Sequence, residues 1–210
     1  MGDSTQFLRL ASLNVRGLNE RNNRMFLFDY FQNSNFSMIF LQETKTKVFD
    51  ESHIRNEWHN KKILINSSSS QNAYGGCMIL FNDQYITVLN SILSPDGRII
   101  VADIEYRGSR YHIVNTYFPN DPSEKLCFIN KLYPLLSSQY PIIFGGDMNL
   151  ALDKNLDRYP PHMSNDSHST DLNDLIKTFC LKDVCRDIRP NKFLFRRRLT
   201  KSRIDFFFIN

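Results

Sequence analysis

The sequence predicts an α+β fold of two packed β-sheets flanked by helices, and three observations carry that prediction. The middle of the chain holds strand-like segments in quick succession, with helical segments between strands towards the two ends. That order is not the βαβα alternation of a doubly wound parallel sheet; it suits sheet on sheet with helices outside. The strand-like segments are rich in β-branched and aromatic residues and are bounded by Asn, Asp, Gly and Pro. The third observation is size. With 210 residues, 41% hydrophobic content and 17 Phe, the chain fits one large domain with an aromatic core.

The first strand is predicted over 8–14, where Leu10-Ala11-Ser12-Leu13 ends on Asn14. A helix over 20–33 follows, with Met25, Phe26, Leu27, Phe28 and Phe31 near helical spacing. Strands are predicted at 37–42 and 62–66, then at 76–82, 85–91, 98–106 and 111–117 beyond a polar loop, Ser67–Asn72. The second helix, 122–138, opens with Asp121-Pro122-Ser123-Glu124, a start signal with Pro in the first turn. A buried strand over 141–146 carries Pro141-Ile142-Ile143-Phe144. The irregular stretch 150–169, with Pro160-Pro161, is long enough to suggest a functional or mobile segment. The third helix, 169–180, starts at Ser169-Thr170-Asp171 and lines up Leu172, Leu175, Ile176 and Phe179. A last strand is predicted at 203–209. The tract Arg196–Lys201 is read as the tip of a hairpin between 192–196 and 203–209. No repeat, heptad array or internal boundary is present, so 1–210 is expected to be a single domain.

Net charge is +4, too small to name a partner, but its distribution is uneven. Seven basic residues and no acidic one lie between Arg189 and Arg203, a cluster suited to neutralising phosphates or to a solvated loop face. No run approaches the roughly 18 apolar residues of a membrane span, and no signal core opens the chain. A soluble, intracellular protein is expected. Cys77, Cys127, Cys180 and Cys185 have no metal-type spacing and are read as small core hydrophobes.

Chemistry concentrates at strand ends. Gly145-Gly146-Asp147-Met148-Asn149 closes the 141–146 strand, and the i, i+2 spacing is expected to set a carboxylate and a carboxamide on one side. Asn14, Glu43 and Asp205 each sit at or near the end of another apolar run. Oxygen ligands converging this way suit a hard cation such as Mg2+, and Mg2+ with few protein ligands usually serves a phosphate ester. Taken singly, these residues also fit strand caps, an Asx-turn at Asp147 and, for Tyr117, a core tyrosine.

Together the segments resemble a known family. Leu13-Asn14-Val15-Arg16-Gly17-Leu18, Leu41-Gln42-Glu43-Thr44, Asn115-Thr116-Tyr117-Phe118-Pro119-Asn120, Gly145–Asn149 and Ser202-Arg203-Ile204-Asp205 look like the successive motifs of the endonuclease/exonuclease/phosphatase superfamily. Leu156-Asp157-Arg158 and the Gly75–Phe81 strand make the chain most similar to the endonuclease domain of LINE-type non-LTR retrotransposons. Each motif alone is weak; five in the family's order, over 8–210, are specific.

The resemblance implies a deoxyribonuclease I-like four-layer sandwich and nicking of DNA with Mg2+ or Mn2+. Glu43 would be the principal metal ligand, with Asn14 supporting the metal shell. Asp147 would accept a proton from the attacking water, which Asn149 would hold, and the Tyr117 phenol would donate to the phosphate. Arg158 would pair with a flanking phosphate. The hairpin residues Arg196, Arg197 and Arg198, with Arg203, would contact DNA. A monomer with no membrane partner and a nuclear location is implied, without the reverse transcriptase portion of such elements. In the family Asp205 orients a histidine of a later Ser-Asp-His motif. That motif is absent here, since the sequence has five residues beyond Asp205 and its five histidines lie elsewhere. The expectation is a domain incomplete at its C-terminus, lacking the last strand that would pair near Arg9–Asn14, foldable but destabilised. Leu194 also stands where related domains tend to carry Thr. Two alternatives stay open: an apurinic/apyrimidinic endonuclease-like repair nuclease, and a catalytically inactive DNA-binding remnant.

Overall fold

The computed structural model describes residues 7–59, 61–67, 75–160, 166–189, 195–197 and 200–210, with the backbone alone at 195–197, 200 and 201. A four-stranded sheet is formed by β1 (Leu10–Asn14), β2 (Met38–Gln42), β3 (Ile63–Asn66) and β4 (Cys77–Phe81), in the order β1-β2-β4-β3 with β1 and β2 parallel. Next in the chain come β5 (Ile86–Leu93), β6 (Ile99–Tyr106), β7 (Ser109–Tyr117) and β8 (Ile142–Asp147). β9 (Arg158–Tyr159) belongs to a small third sheet, and β10 (Lys182–Asp183) lies beyond it. β11 (Phe195–Arg197) and β12 (Thr200–Ser202) join β9, while β13 (Asp205–Ile209) completes a six-stranded sheet of order β10-β13-β8-β7-β6-β5. The helices are α1 (Arg21–Gln32), α2 (Glu51–Glu57), α3 (Pro122–Leu136), α4 (Ser169–Thr178) and α5 (Val184–Ile188).

Period-two alternation sorts the residues into layers. In β2, Met38 and Phe40 face the six-stranded sheet, where they meet Ile100, Ala102, Ile104 and Ile113. Ile39 and Leu41 face outward onto Phe28 and Phe31 of α1, Ile54 of α2, and Trp58. The outer face of the six-stranded sheet, with Val101, Val114 and Phe144, packs on Phe128 and Leu132 of α3 and on Leu172 and Leu175 of α4. The result is helix, sheet, sheet, helix. Central strands buried on both faces read as unbroken apolar runs, which is why β2, β4 and β8 were easy to find in the sequence.

Several expectations need correcting. α2 was missed because Ile54 is its only buried residue, too little for a visible stripe. Phe26 of α1 is exposed, and the buried face holds Arg24 instead, ion-paired with Glu57 of α2. Among the described residues, the 203–209 strand does not pair with Phe195 or Arg196. β11 pairs with β12 (Arg196↔Lys201), and β13 crosses to pair with β8. Only Cys77 is a core cysteine; Cys127 and Cys180 are exposed and Cys185 is half-buried, because helix and turn positions set their exposure, not their chemistry. The bulk of the Ser67–Asn72 loop, Pro161 and Leu194 lie outside the described residues.

Candidate active site

Strand ends build the site. In the six-stranded sheet, Asp147 at the end of β8 is in register with Tyr117 at the end of β7 on one side and with Asp205 at the start of β13 on the other. In the four-stranded sheet, Asn14 ends β1 opposite Gln42, and Glu43 follows directly in a left-handed conformation (φ 54°). The Asn14 amide spans the two sheets, donating to Asp147 Oδ2 at 2.8 Å. Asn14, Glu43, Tyr117, Asp147 and Asp205, with Asn149, Asn120 and Arg16, line a cleft of about 450 Å³.

The approach of β8 to β7 depends on Gly146. Its φ is +132°, and a Cβ there would stand 2.0 Å from the Thr116 carbonyl oxygen. Asp147 and Asn149 do share the cleft, but not through a strand pleat. β8 ends at Asp147, Asn149 is left-handed (φ 47°), and its N–H donates to Asp147 Oδ1 at 2.9 Å. An Asx-turn brings the pair together. The Asn149 side-chain amide donates to the Phe118 carbonyl at 2.8 Å.

A buried polar bridge lies behind the rim. Asn115 of β7 donates to the Leu41 and Met78 carbonyls of the opposite sheet and accepts from Gln42 Nε2 at 2.8 Å, and Gln42 also donates to Ser12. The bridge fixes the spacing between Glu43 and Tyr117, because each is within two residues of it.

The environments pull the acids apart. Burial pushes the Glu43 carboxyl up, but hydrogen bonds from Lys45, Asn14 and Tyr117 outweigh it and hold Glu43 below its usual range. Lys45 Nζ is 2.9 Å from Glu43 Oε1. Burial raises Asp147, assisted by the Glu43 charge and opposed by Asn14, the Asn149 N–H and Lys125. Burial, then the charge of Asp147, pushes Asp205 up to about 7. Burial and the charges of Glu43 and Asp147 raise Tyr117, which therefore stays a protonated donor, with Asn120 hydrogen-bonded to it.

The donor set is oxygen-rich and hard, the chemistry Mg2+ prefers. Among the described residues no three of His, Cys, Asp or Glu cluster closely enough to hold a metal by themselves. The residues fit a few-ligand site, with ionised Glu43 as the anchor and Asn14 beside it.

Other sequence candidates lie elsewhere. Arg203 is corrected outright as a DNA contact. It is 2% exposed, with Nε 2.8 Å from Asp157 Oδ1 and a second nitrogen 2.6 Å from Asp183 Oδ2. Charge along a sequence does not report burial, and this arginine ties β13 to the 153–158 turn. Arg158 is ion-paired with Asp166 outside the cleft. The Arg196 and Arg197 side chains and the whole of Arg198 lie outside the described residues. Sequence reasoning missed Lys45 and Lys125, the latter buried beneath the 147–149 turn with Nζ donating to the Asn149 carbonyl at 2.6 Å. A lysine four residues into a predicted helix gives no signal of burial.

Comparison with known proteins adds four likenesses. The Endonuclease/Exonuclease/phosphatase family matches residues 11–210. The transposon TX1 uncharacterized 149 kDa protein of Xenopus laevis is 28% identical over 213 aligned residues, which cover 97% of this chain but only 16% of that relative. Among solved structures, an AP endonuclease from Archaeoglobus fulgidus superposes with a TM-score of 0.74 at 20% identity, covering 97% of this chain and 86% of that one. The endonuclease domain of TRAS1, a telomere-specific non-LTR retrotransposon, superposes at 0.60 with 17% identity, covering 96% and 84%.

Proposed function

The chain belongs to the Endonuclease/Exonuclease/phosphatase family, and from that premise we propose that it is a metal-dependent, DNA-nicking endonuclease domain of a retrotransposon-type protein. The observation that carries the reading is the row Tyr117–Asp147–Asp205 on one sheet, joined across the cleft mouth by Asn14 to the sheet that carries Glu43. A DNA phosphodiester laid in this cleft meets a donor at Tyr117. Asp147, whose basicity burial raises, takes a proton from the attacking water as the water oxygen bonds to phosphorus; the bond from phosphorus to the 3′-oxygen breaks, and that oxygen takes a proton from solvent to give a 3′-hydroxyl. Asp205, near 7, is partly protonated at neutral pH and can donate to a phosphate oxygen. A Mg2+ or Mn2+ ion held by Glu43, with Asn14 beside it, would neutralise charge at the scissile phosphate.

The proposal extends to a monomer that meets DNA in the nucleus within a longer protein carrying reverse transcriptase. Among the described residues no helix is long and apolar enough to cross a membrane. The test is nicking of supercoiled plasmid with Mg2+, with EDTA, and with Glu43→Ala. Nicking is expected with Mg2+ only, and a fall of at least ~10²-fold in Glu43→Ala. Equal nicking in all three arms would sink the proposal, and a folded protein that nicks nothing would be the inactive DNA-binding remnant. A second reading, an apurinic/apyrimidinic endonuclease-like nuclease, draws support from the higher TM-score with the Archaeoglobus fulgidus enzyme. Plasmid bearing abasic sites separates the two, since a repair enzyme nicks it far faster than intact plasmid.

A further inference from the structure

The motifs leave Lys125, a charged group behind the site, without a role. Lys125 lies in the first turn of α3 and is 5% exposed. Lysine is seldom buried. The first turn of a helix is also the end least favourable to a cation, because its free N–H groups carry partial positive charge. Among the described residues no carboxylate pairs directly with Lys125; its hydrogen bond goes to the Asn149 carbonyl at 2.6 Å. Burial depresses its basicity and Arg158 adds to that, while Asp166 and Asp147 oppose it at longer range.

Stability alone does not explain a lysine here. A methionine of similar length would fill the same space without desolvating a charge, and such replacements are often neutral or stabilising. What the ammonium adds is a grip on one backbone atom. Asn149 is left-handed, a conformation uncommon for non-glycine residues though better tolerated by Asn than by most. Its N–H is bound to Asp147 Oδ1 and its side-chain amide to the Phe118 carbonyl. The first bond is internal to the turn and the second reaches the end of β7. The third, from Lys125, is the one that ties the turn to a helix.

We infer that Lys125 is a positioning residue: its ammonium clamps the Asn149 carbonyl and thereby sets the turn that carries Asp147 and Asn149 into the cleft. The inference rests on the proposed nuclease reading for its catalytic readout, but the clamp can be tested without it. The experiment compares Lys125→Met and Lys125→Arg with the wild-type chain. It measures kcat and KM for plasmid nicking, Tm, and amide hydrogen exchange resolved to residues 145–151. In Lys125→Met, Tm stays close to wild type and exchange protection falls in 145–151 alone. There kcat falls ~10²-fold, the loss expected of a displacement of about 1 Å, with KM little changed. Lys125→Arg, which keeps a donor, recovers at least tenfold of that kcat. Unchanged protection at 145–151 in Lys125→Met, or a kcat within twofold of wild type, overturns the clamp. So does loss of protection across the whole domain with a fall in Tm, which would make Lys125 a plain stability residue. If the wild-type chain does not nick, the nuclease reading fails and the exchange arm alone decides on the clamp.

Discussion

Asp205 and Asp147 stand opposite each other across the β8–β13 register, Asp147 buried and Asp205 half-buried in the cleft wall, and both carboxyls are raised. Two like charges facing each other at adjacent strand ends, one buried and one half-buried, favour keeping a proton, and losing that proton costs the fold. The sign follows from linkage. Asp205 binds its proton more tightly folded than unfolded, so its stabilising contribution is full below its usual 3.8 and disappears as pH rises through about 7. The displacement corresponds to on the order of 4 kcal/mol at most. Melting curves in EDTA across that window should show wild type losing stability relative to Asp205→Asn as pH rises; parallel curves would refute the assignment. Residues of this kind are legible in sequence because each stands at one end of an apolar strand run. Lys45, Lys125 and Arg203 are not, since nothing in a sequence distinguishes a lysine or arginine turned inward from one turned to solvent.

Strands and turns place these groups through contacts that carry no chemistry themselves. Asn115 lies on the inner face of β7, between Ile113 and Tyr117, and reaches the Leu41 and Met78 carbonyls and the Gln42 side chain. Its amide hydrogens are both used, and its oxygen accepts. Replacing it by Ala removes one partner of the Gln42 amide and the side-chain donor to two carbonyls in the space between the sheets. A loss of roughly 2–4 kcal/mol in urea unfolding is expected, because each unsatisfied buried group costs about 1–3 kcal/mol. A loss below about 0.5 kcal/mol would mean that the bridge does not hold the sheets. The motif Asn-Thr-Tyr was visible in the sequence, but Asn115 drew no role there, because its partners are 37 to 74 positions away. The same limit explains the hairpin. Local pattern found strands near 195 and 205, whereas pairing depends on β13 finding β8, some 60 residues earlier, which tertiary packing alone decides.

At the scale of the molecule, four layers bring strand ends from two sheets to one rim, and a small third sheet carries the basic hairpin beside them. β11 and β12 join the body through β9, and Arg203, just beyond β12, is buried against Asp157 and Asp183. Asp157 also takes Arg186 of α5, so a buried ion cluster fixes the base of the hairpin. With Arg203 turned inward, the DNA contact we propose for this tract rests on Arg196, Arg197 and Arg198. Reversing Arg196, Arg197 and Arg198 to Glu leaves the buried cluster intact, so Tm should hold while affinity for duplex DNA falls. Each phosphate contact contributes about 0.9 to the slope of log K against log salt, so three lost contacts should flatten it by roughly 2 to 3. Unchanged affinity and slope would return the tract to a solvated face. A flattened slope with intact nicking of bound DNA would separate the two halves of the molecule's work, the hairpin holding the duplex and the strand-end rim cutting it.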